Sequence, residues 1–172
     1  IPLTHRIPTQ GFLFIEKRQS DSMIPQKIKA YNIPFKEIQS IKDGNDWVSS
    51  NGETVTHSEL TTPAPKSRSY AFCSDTMYNE SIVSIIEGAD LLYHESTFLH
   101  SELEFAIKTK HSTSLQAATI AQKAKVGKLI LGHYSSRYVE LDKLLDEAKS
   151  VFPNTELGLE GKRFEVKMSK NK

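Results

Sequence analysis

From about residue 69 to 152 the chain alternates short apolar runs with amphipathic stretches. Residues 69–74 form the first run. Asn79 then stands where it can cap a helix carrying Ile82, Ile85, Ile86 and Ala89 at helical spacing, with Gly88 placed to end it. Residues 90–93, DLLY, read as the next strand and stop at HEST. The stretch HSTSLQAATIAQKAKVG shows a capping box, Thr113 to Gln116, ahead of an apolar stripe of Ala117, Ile120, Ala121 and Ala124. KLILGHYSSRY is strand then loop, and a third helix carries Leu141, Leu144, Leu145 and Ala148 before Pro153. Strands alternating with helices predict an α/β (α+β) layered fold.

The amino-terminal part follows another pattern. Residues 1–15 read as two short strands around HRIPTQG. Residues 17–43 show no regular period, contain Pro25 and Pro34, and hold six basic residues against three acidic ones. Asn51-Gly52 between DWVSS and ETVTH is a hairpin signal, and TTPAPKSRS reads as a loop returning to the core. Residues 17–66 are therefore expected to be an inserted, protruding arm within a single domain spanning 1–172.

Composition narrows the function. The chain has 172 residues, 38% of them hydrophobic and 25% charged, with a net charge of +1, which speaks against a nucleic-acid binder acting through overall positive field. Cys73 is its one cysteine, so a disulfide framework and a thiolate zinc site are excluded, and a cytoplasmic location is expected. No apolar run is long enough to span a membrane. Cys73 itself reads as an inert small hydrophobe, Trp47 as local packing, and His57 and His100 as solvated surface residues.

Polar residues at the strand ends carry the chemistry. Three successive apolar strands end in Asp75, in His94-Glu95 and in His133, at the edge where open α/β sheets bind ligands. A carboxylate there is costly unless it caps a helix or meets a cation. Taken alone, Asp75 fits a cap. Convergence of the three ends, with His5 in a turn and His111 before a capped helix, points instead to an open, hydrated zinc or manganese site built from Asp and His. GxSxG, GxGxxG and glycine-rich phosphate loops are all missing.

The segments PLTHRIPTQGF, FCSDT, LLYHESTF, KHSTSLQAA and LGHYSSRY, in this order, resemble the carboxyl-terminal half of the ribonuclease Z family, tRNA 3′-processing endonucleases of the metallo-β-lactamase superfamily. The resemblance runs from about residue 2 to 166. It implies half of an αββα sandwich with residues 17–66 as a tRNA-gripping arm. It implies two zinc ions, with His5, Asp75 and His133 as ligands and Asp75 bridging. His111 becomes the residue that protonates the leaving oxygen or stabilises the transition state, and Glu95 its orienting partner. Arg137 becomes a phosphate-binding residue, with Ser112 and Thr113 beside the substrate.

Precursor tRNA is the implied partner, in a homodimer whose arm serves the other subunit's site. Ser74, Ser96 and Gln116 depart from the family's usual glycine, alanine and glutamate without touching a ligand. The family's HxHxDH motif is absent, so the chain is expected to be a fragment, inactive alone. A degenerate paralogue, or a hydrolase of small esters or phosphodiesters on the same fold, are the competing expectations.

Overall fold

A computed structural model describes residues 1–168. It divides into two compact units, one made of residues 1–16 with 68–167 and the other built on Lys17–Ser67. In chain order the first strands are β1 (Pro2–Leu3), β2 (Thr9–Gln10) and β3 (Phe12–Ile15). The second unit then contributes β4 (Ser22–Met23), α1 (Pro25–Tyr31), α2 (Phe35–Lys42), β5 (Trp47–Val48), β6 (Thr54–Val55), α3 (His57–Leu60) and β7 (Thr61–Thr62). The first unit resumes with β8 (Ser69–Cys73), β9 (Leu91–Glu95), α4 (Leu103–Thr109), α5 (Ser114–Lys123), β10 (Leu129–Gly132), α6 (Asp142–Val151) and β11 (Thr155–Leu157).

The first unit is one helix layer on one sheet. The sheet has the order β11-β10-β9-β8-β3, with β8 to β11 parallel and β3 antiparallel at the edge. Parallel neighbours place their carboxyl ends side by side, which brings Asp75, Glu95 and His133 to one edge. The inward face sets Ala71, Cys73, Leu92, Leu129 and Leu131 against Ala117, Ile120 and Ala121 of α5 and Ala148 of α6. Small residues on α5 let that helix approach the sheet closely, and its capping box forms as the sequence predicts. Cys73 is fully buried and its thiol is pushed up to about 12 by burial, so it is inert.

The opposite face of the sheet is aromatic. Phe72 stacks on Tyr93 at 4.8 Å and Phe14 on Tyr70 at 6.0 Å, while Phe12 and Phe14 are 54% and 57% exposed. Two layers are thus present where an αββα sandwich has four.

Two local expectations are corrected. Residues 80–89 do not form an α-helix: a 3-10 turn, Glu80–Ile82, runs into further turns, with Asn79 accepting from the Ser81 N–H as its cap. Ile82, Ile86 and Ala89 are buried all the same, so packing alone satisfies the apolar period, and the segment is too short to need a regular helix. Residues 17–43, expected to be irregular, contain α1 and α2. Pro25 sits in the first turn of α1, where its missing N–H costs nothing, and Asn32 closes α1 in the left-handed region at φ 52°.

That second unit has a small core of its own, Ile33, Ile41, Trp47, Val55 and Leu60. The hairpin forms at Asn51-Gly52 between β5 and β6, with Gly52 at φ 82°. The returning loop begins as strand, because Thr61–Thr62 pairs with β4.

Gly132 ends β10 directly before His133. A Cβ on it would lie 2.1 Å from the Tyr93 hydroxyl and 2.4 Å from Cζ of the same ring, which Phe72 holds in place. Gly132→Ala is therefore expected to lower unfolding stability by about 1–3 kcal/mol, the usual range for overpacking. Urea unfolding would measure it, and an unchanged midpoint would show that the Tyr93 ring yields freely.

Candidate metal centre

The site is assembled around Glu95, which is fully buried at the end of β9. Its Oε1 accepts from the Thr76 N–H at 2.6 Å and from His111 Nδ1 at 2.9 Å. Its Oε2 accepts from the Thr97 hydroxyl at 2.7 Å and the Ser112 N–H at 2.9 Å. Burial, the largest single influence, raises the pKa. The hydrogen bonds from His111, Ser112 and Thr97 together outweigh it and hold the carboxyl below its ordinary range.

Each of the three histidines at this edge has its Nδ1 committed to the protein. His5 Nδ1 faces the Lys110 carbonyl at 2.9 Å, so that nitrogen must carry the proton. His111 Nδ1 faces the Glu95 carboxylate. His133 Nδ1 lies 2.9 Å from Thr97 Oγ1; that hydroxyl gives its single proton to the stronger acceptor, the carboxylate, and so accepts from the imidazole. In the neutral tautomers fixed this way, every Nε2 is left as a bare lone pair, the form a metal ligand or proton acceptor requires.

The side chains converge. His133 Nε2 is 3.3 Å from Asp75 Oδ1. Ligand atoms of His5, Asp75 and His111 all lie within 4.8 Å of one another, as do those of Glu95, His111 and His133. The His111 ring lies 4.8 Å from that of His5 and 5.1 Å from that of His133. The donor set, imidazoles and a carboxylate without thiolate, fits a catalytic zinc or manganese ion. Asp75 and His133 are both about half exposed, which leaves the centre open to solvent.

The backbone is strained to reach this geometry. Asp75 and His133 both sit at φ 56°, in the left-handed region that non-glycine residues rarely adopt. Asp75 does not cap the following turn, since Asn79 does that itself. Thr76 locks the strand end: its hydroxyl accepts from the Thr4 N–H, its carbonyl from the Ser112 hydroxyl, and Met77 N–H donates to Thr4 O. The same ties carry His5 to the edge.

Other expected residues are placed differently. His94 turns away into the core, donating Nδ1–H to the Glu95 carbonyl at 2.8 Å. Burial lowers its pKa, and its Nε2 is without a partner among the described residues. Of the His94-Glu95 pair, only Glu95 joins the site. Ser112 and Thr113, expected at the substrate, are fully buried. Ser112 donates to Thr76 O, and Thr113 caps α5.

Arg137 stands over Phe98 and Phe105, with Nη1 on Glu102 and Nε on Ser135 Oγ. His57 and His100 are not freely solvated. His57 pairs with the buried Asp21 at 3.1 Å, and His100 sits 3.2 Å from Thr113 Oγ1. Thr76 and Thr97 escaped sequence reasoning. Their only signal was a hydroxyl beside each strand-end acid, in SDT and HEST.

No protein-family model matches the chain. Individual proteins match it closely. Ribonuclease Z of Parabacteroides distasonis is 48% identical over 166 residues, covering 96% of this chain and 55% of that protein. Ribonuclease Z of Phocaeicola vulgatus is 45% identical over 170 residues, covering 99% and 55%. Among solved structures, the short form of human tRNase Z aligns with a TM-score of 0.52 at 20% identity, over 96% of this chain and 41% of that one, a likeness of fold. The chain is thus a homologue of ribonuclease Z over nearly its whole length, and it spans about half the length of the curated relatives it matches.

Because the folded pKa of Glu95 is lowered, its contribution to stability is complete above the unfolded-state value and is lost as pH falls through the folded one. Urea unfolding followed from about pH 7 to about pH 3 should show this loss, and Glu95→Gln should both destabilise the chain at neutral pH and flatten the profile. Parallel profiles for the two proteins would show that Glu95 does not couple folding to pH.

Proposed function

We propose that this chain supplies one wall of a metal-dependent phosphodiesterase centre that removes the 3′ trailer from precursor tRNA. The reading rests above all on the three imidazoles gathered around Asp75, each with its Nδ1 committed to the protein. The name and high identity of the bacterial relatives support it.

In this reading His5, Asp75 and His133 would hold two zinc ions, with Asp75 supplying the anionic ligand beside the imidazoles. Bound metal supplies charge neutralisation at the phosphate and an activated water. Three ligands are too few for two open sites, so the others come from the part of the relatives' length that this chain does not span.

The chain's own residues position and transfer protons. Glu95 accepts from His111 Nδ1–H and so aims Nε2 at the reacting edge. Once Nε2 has taken up a proton, the His111 imidazolium gives it to the leaving oxygen and returns to the neutral tautomer. Thr97 passes the same carboxylate's hold on to His133. Residues 17–67 grip the RNA through shape and backbone contacts, helped by the basic stretch in 17–43. No helix among the described residues is long and apolar enough to cross a membrane. A cytoplasmic homodimer belongs to the same proposal.

His111 belongs to both ligand-capable groups, so its role is open to direct test. The test protein is this chain completed with the portion of the Parabacteroides distasonis relative that it does not span. There His111→Ala should lower precursor cleavage by ~10²–10⁴-fold, the range for a lost general acid, with metal content unchanged by elemental analysis. Loss of metal would make His111 a ligand instead.

Replacing residues 17–67 with a short linker should weaken precursor binding, most at low salt, and should flatten its salt dependence. Hydrolysis of bis(p-nitrophenyl) phosphate should be spared, because the first unit has its own core. Equal loss on both substrates would place the segment in the catalytic core, and failure of the unaltered protein to cut precursor tRNA would leave the small-diester reading.

A further inference from the structure

We propose that Phe105 and Arg137 form a stacking subsite for a nucleobase beside the scissile phosphate. The inference rests on the phosphodiesterase reading above and names a contact for its RNA. Phe98 links this subsite to the centre, its ring 6.4 Å from His111. The Arg137 guanidinium carbon lies 5.0 Å from the Phe98 ring centre and 5.2 Å from that of Phe105. One aromatic ring and one guanidinium therefore separate Phe105 from the imidazole assigned the proton. That path leads outward from the reacting edge to the surface.

A phosphate grip fits Arg137 less well than stacking. Nη1 is engaged by Glu102 and Nε by Ser135 Oγ. Each bidentate edge of a guanidinium, Nη1 with Nη2 or Nε with Nη2, thus includes a committed nitrogen. Glu102 is held in turn by the Tyr138 hydroxyl. What remains to offer is a plane, fixed in advance against two rings. Phe105 on α4 is 50% exposed, with the cation of Arg137 over its ring.

A half-exposed aromatic ring preset beside a guanidinium is the arrangement that holds unpaired bases: the ring takes the π-face, and the cation adds attraction without reading sequence. A paired base in a duplex would have no free face to give. The ligand is accordingly an unstacked nucleotide at the junction where the trailer leaves the acceptor stem.

The completed enzyme tests this with Phe105→Leu, which keeps apolar bulk but loses the π-face, and Phe105→Trp, which keeps it. Loss of one stacked base weakens binding by roughly 5- to 150-fold. Phe105→Leu should reduce kcat/KM for precursor tRNA within that range, Phe105→Trp should restore it, and metal content by elemental analysis should not change in either.

A precursor with an abasic nucleotide next to the cleavage site should lose the same factor with the unaltered enzyme and nothing more with Phe105→Leu. Loss of metal in Phe105→Leu, or additive loss on the abasic precursor, would overturn the subsite. Independently of cleavage, 2-aminopurine at that position of a short single-stranded RNA should be quenched on binding to the unaltered enzyme and to Phe105→Trp but not to Phe105→Leu. Unchanged quenching in Phe105→Leu would also overturn it. Absence of precursor cleavage by the unaltered enzyme would instead count against the tRNA reading, and the fluorescence result would still decide the subsite.

Discussion

The buried carboxylate of Glu95 is the constraint on which the candidate centre depends. An ion removed from water costs several kcal/mol unless its lone pairs are used, and Glu95 uses them on four donors: the Thr76 and Ser112 amides, the Thr97 hydroxyl and the His111 imidazole. Those donors come from separate stretches of chain, each adjoining or carrying a residue of the site. Thr76 follows Asp75, Thr97 holds His133 Nδ1, and Ser112 follows His111. One charge thereby sets the positions of three other side chains. The arrangement is stable only as a whole, since a single missing donor leaves part of a buried charge unpaired.

The same device explains how strain is tolerated. Asp75 and His133 occupy left-handed backbone at the ends of β8 and β10, the parallel strands on either side of β9. Each such residue costs on the order of 1–3 kcal/mol and persists only where its surroundings over-determine it. Asp75 is followed at once by Thr76, whose N–H, hydroxyl and carbonyl are all engaged. His133 is preceded by Gly132, against which the Tyr93 ring packs too closely for a Cβ. Rigidity at these two turns keeps the His133 imidazole and the Asp75 carboxylate 3.3 Å apart.

Among the described residues of the first unit, helices pack on one face of the five-stranded sheet, and the other presents aromatic rings. The inward face gives the sheet its stability through Ala-rich α5, while the carboxyl edge of the same strands carries the chemistry. Fold and site are therefore coupled through strand register: a slip of one residue in β9 would exchange Glu95 with the core residue His94. The closeness of the chain to ribonuclease Z over about half of that protein's length is consistent with a site that needs more ligands than are gathered here.

Local physics made much of this legible in advance. The capping box at Thr113 and Gln116 depends on residues three apart, and the strand ends at Asp75, Glu95 and His133 on apolar runs that stop at polar residues. Parallel pairing then aligned those ends, as alternation of strand and helix implies. Where the reading failed, the deciding partner was remote in sequence. Residues 17–43 hid two helices because α1 buries no residue fully and α2 only Ile41, within a core assembled from the whole second unit.

His94 and Glu95 are adjacent and both able to ligate a metal, and strand register sends one to the core and the other to the site. The proton on His5 is set by a carbonyl at Lys110, and the fork of Arg137 is occupied by Glu102, pairings with no trace in the local pattern. Sequence by itself determined which residue types stand at the strand ends. Tertiary structure decided which nitrogen of each imidazole is free, because that depends on hydrogen-bond partners brought together only by folding.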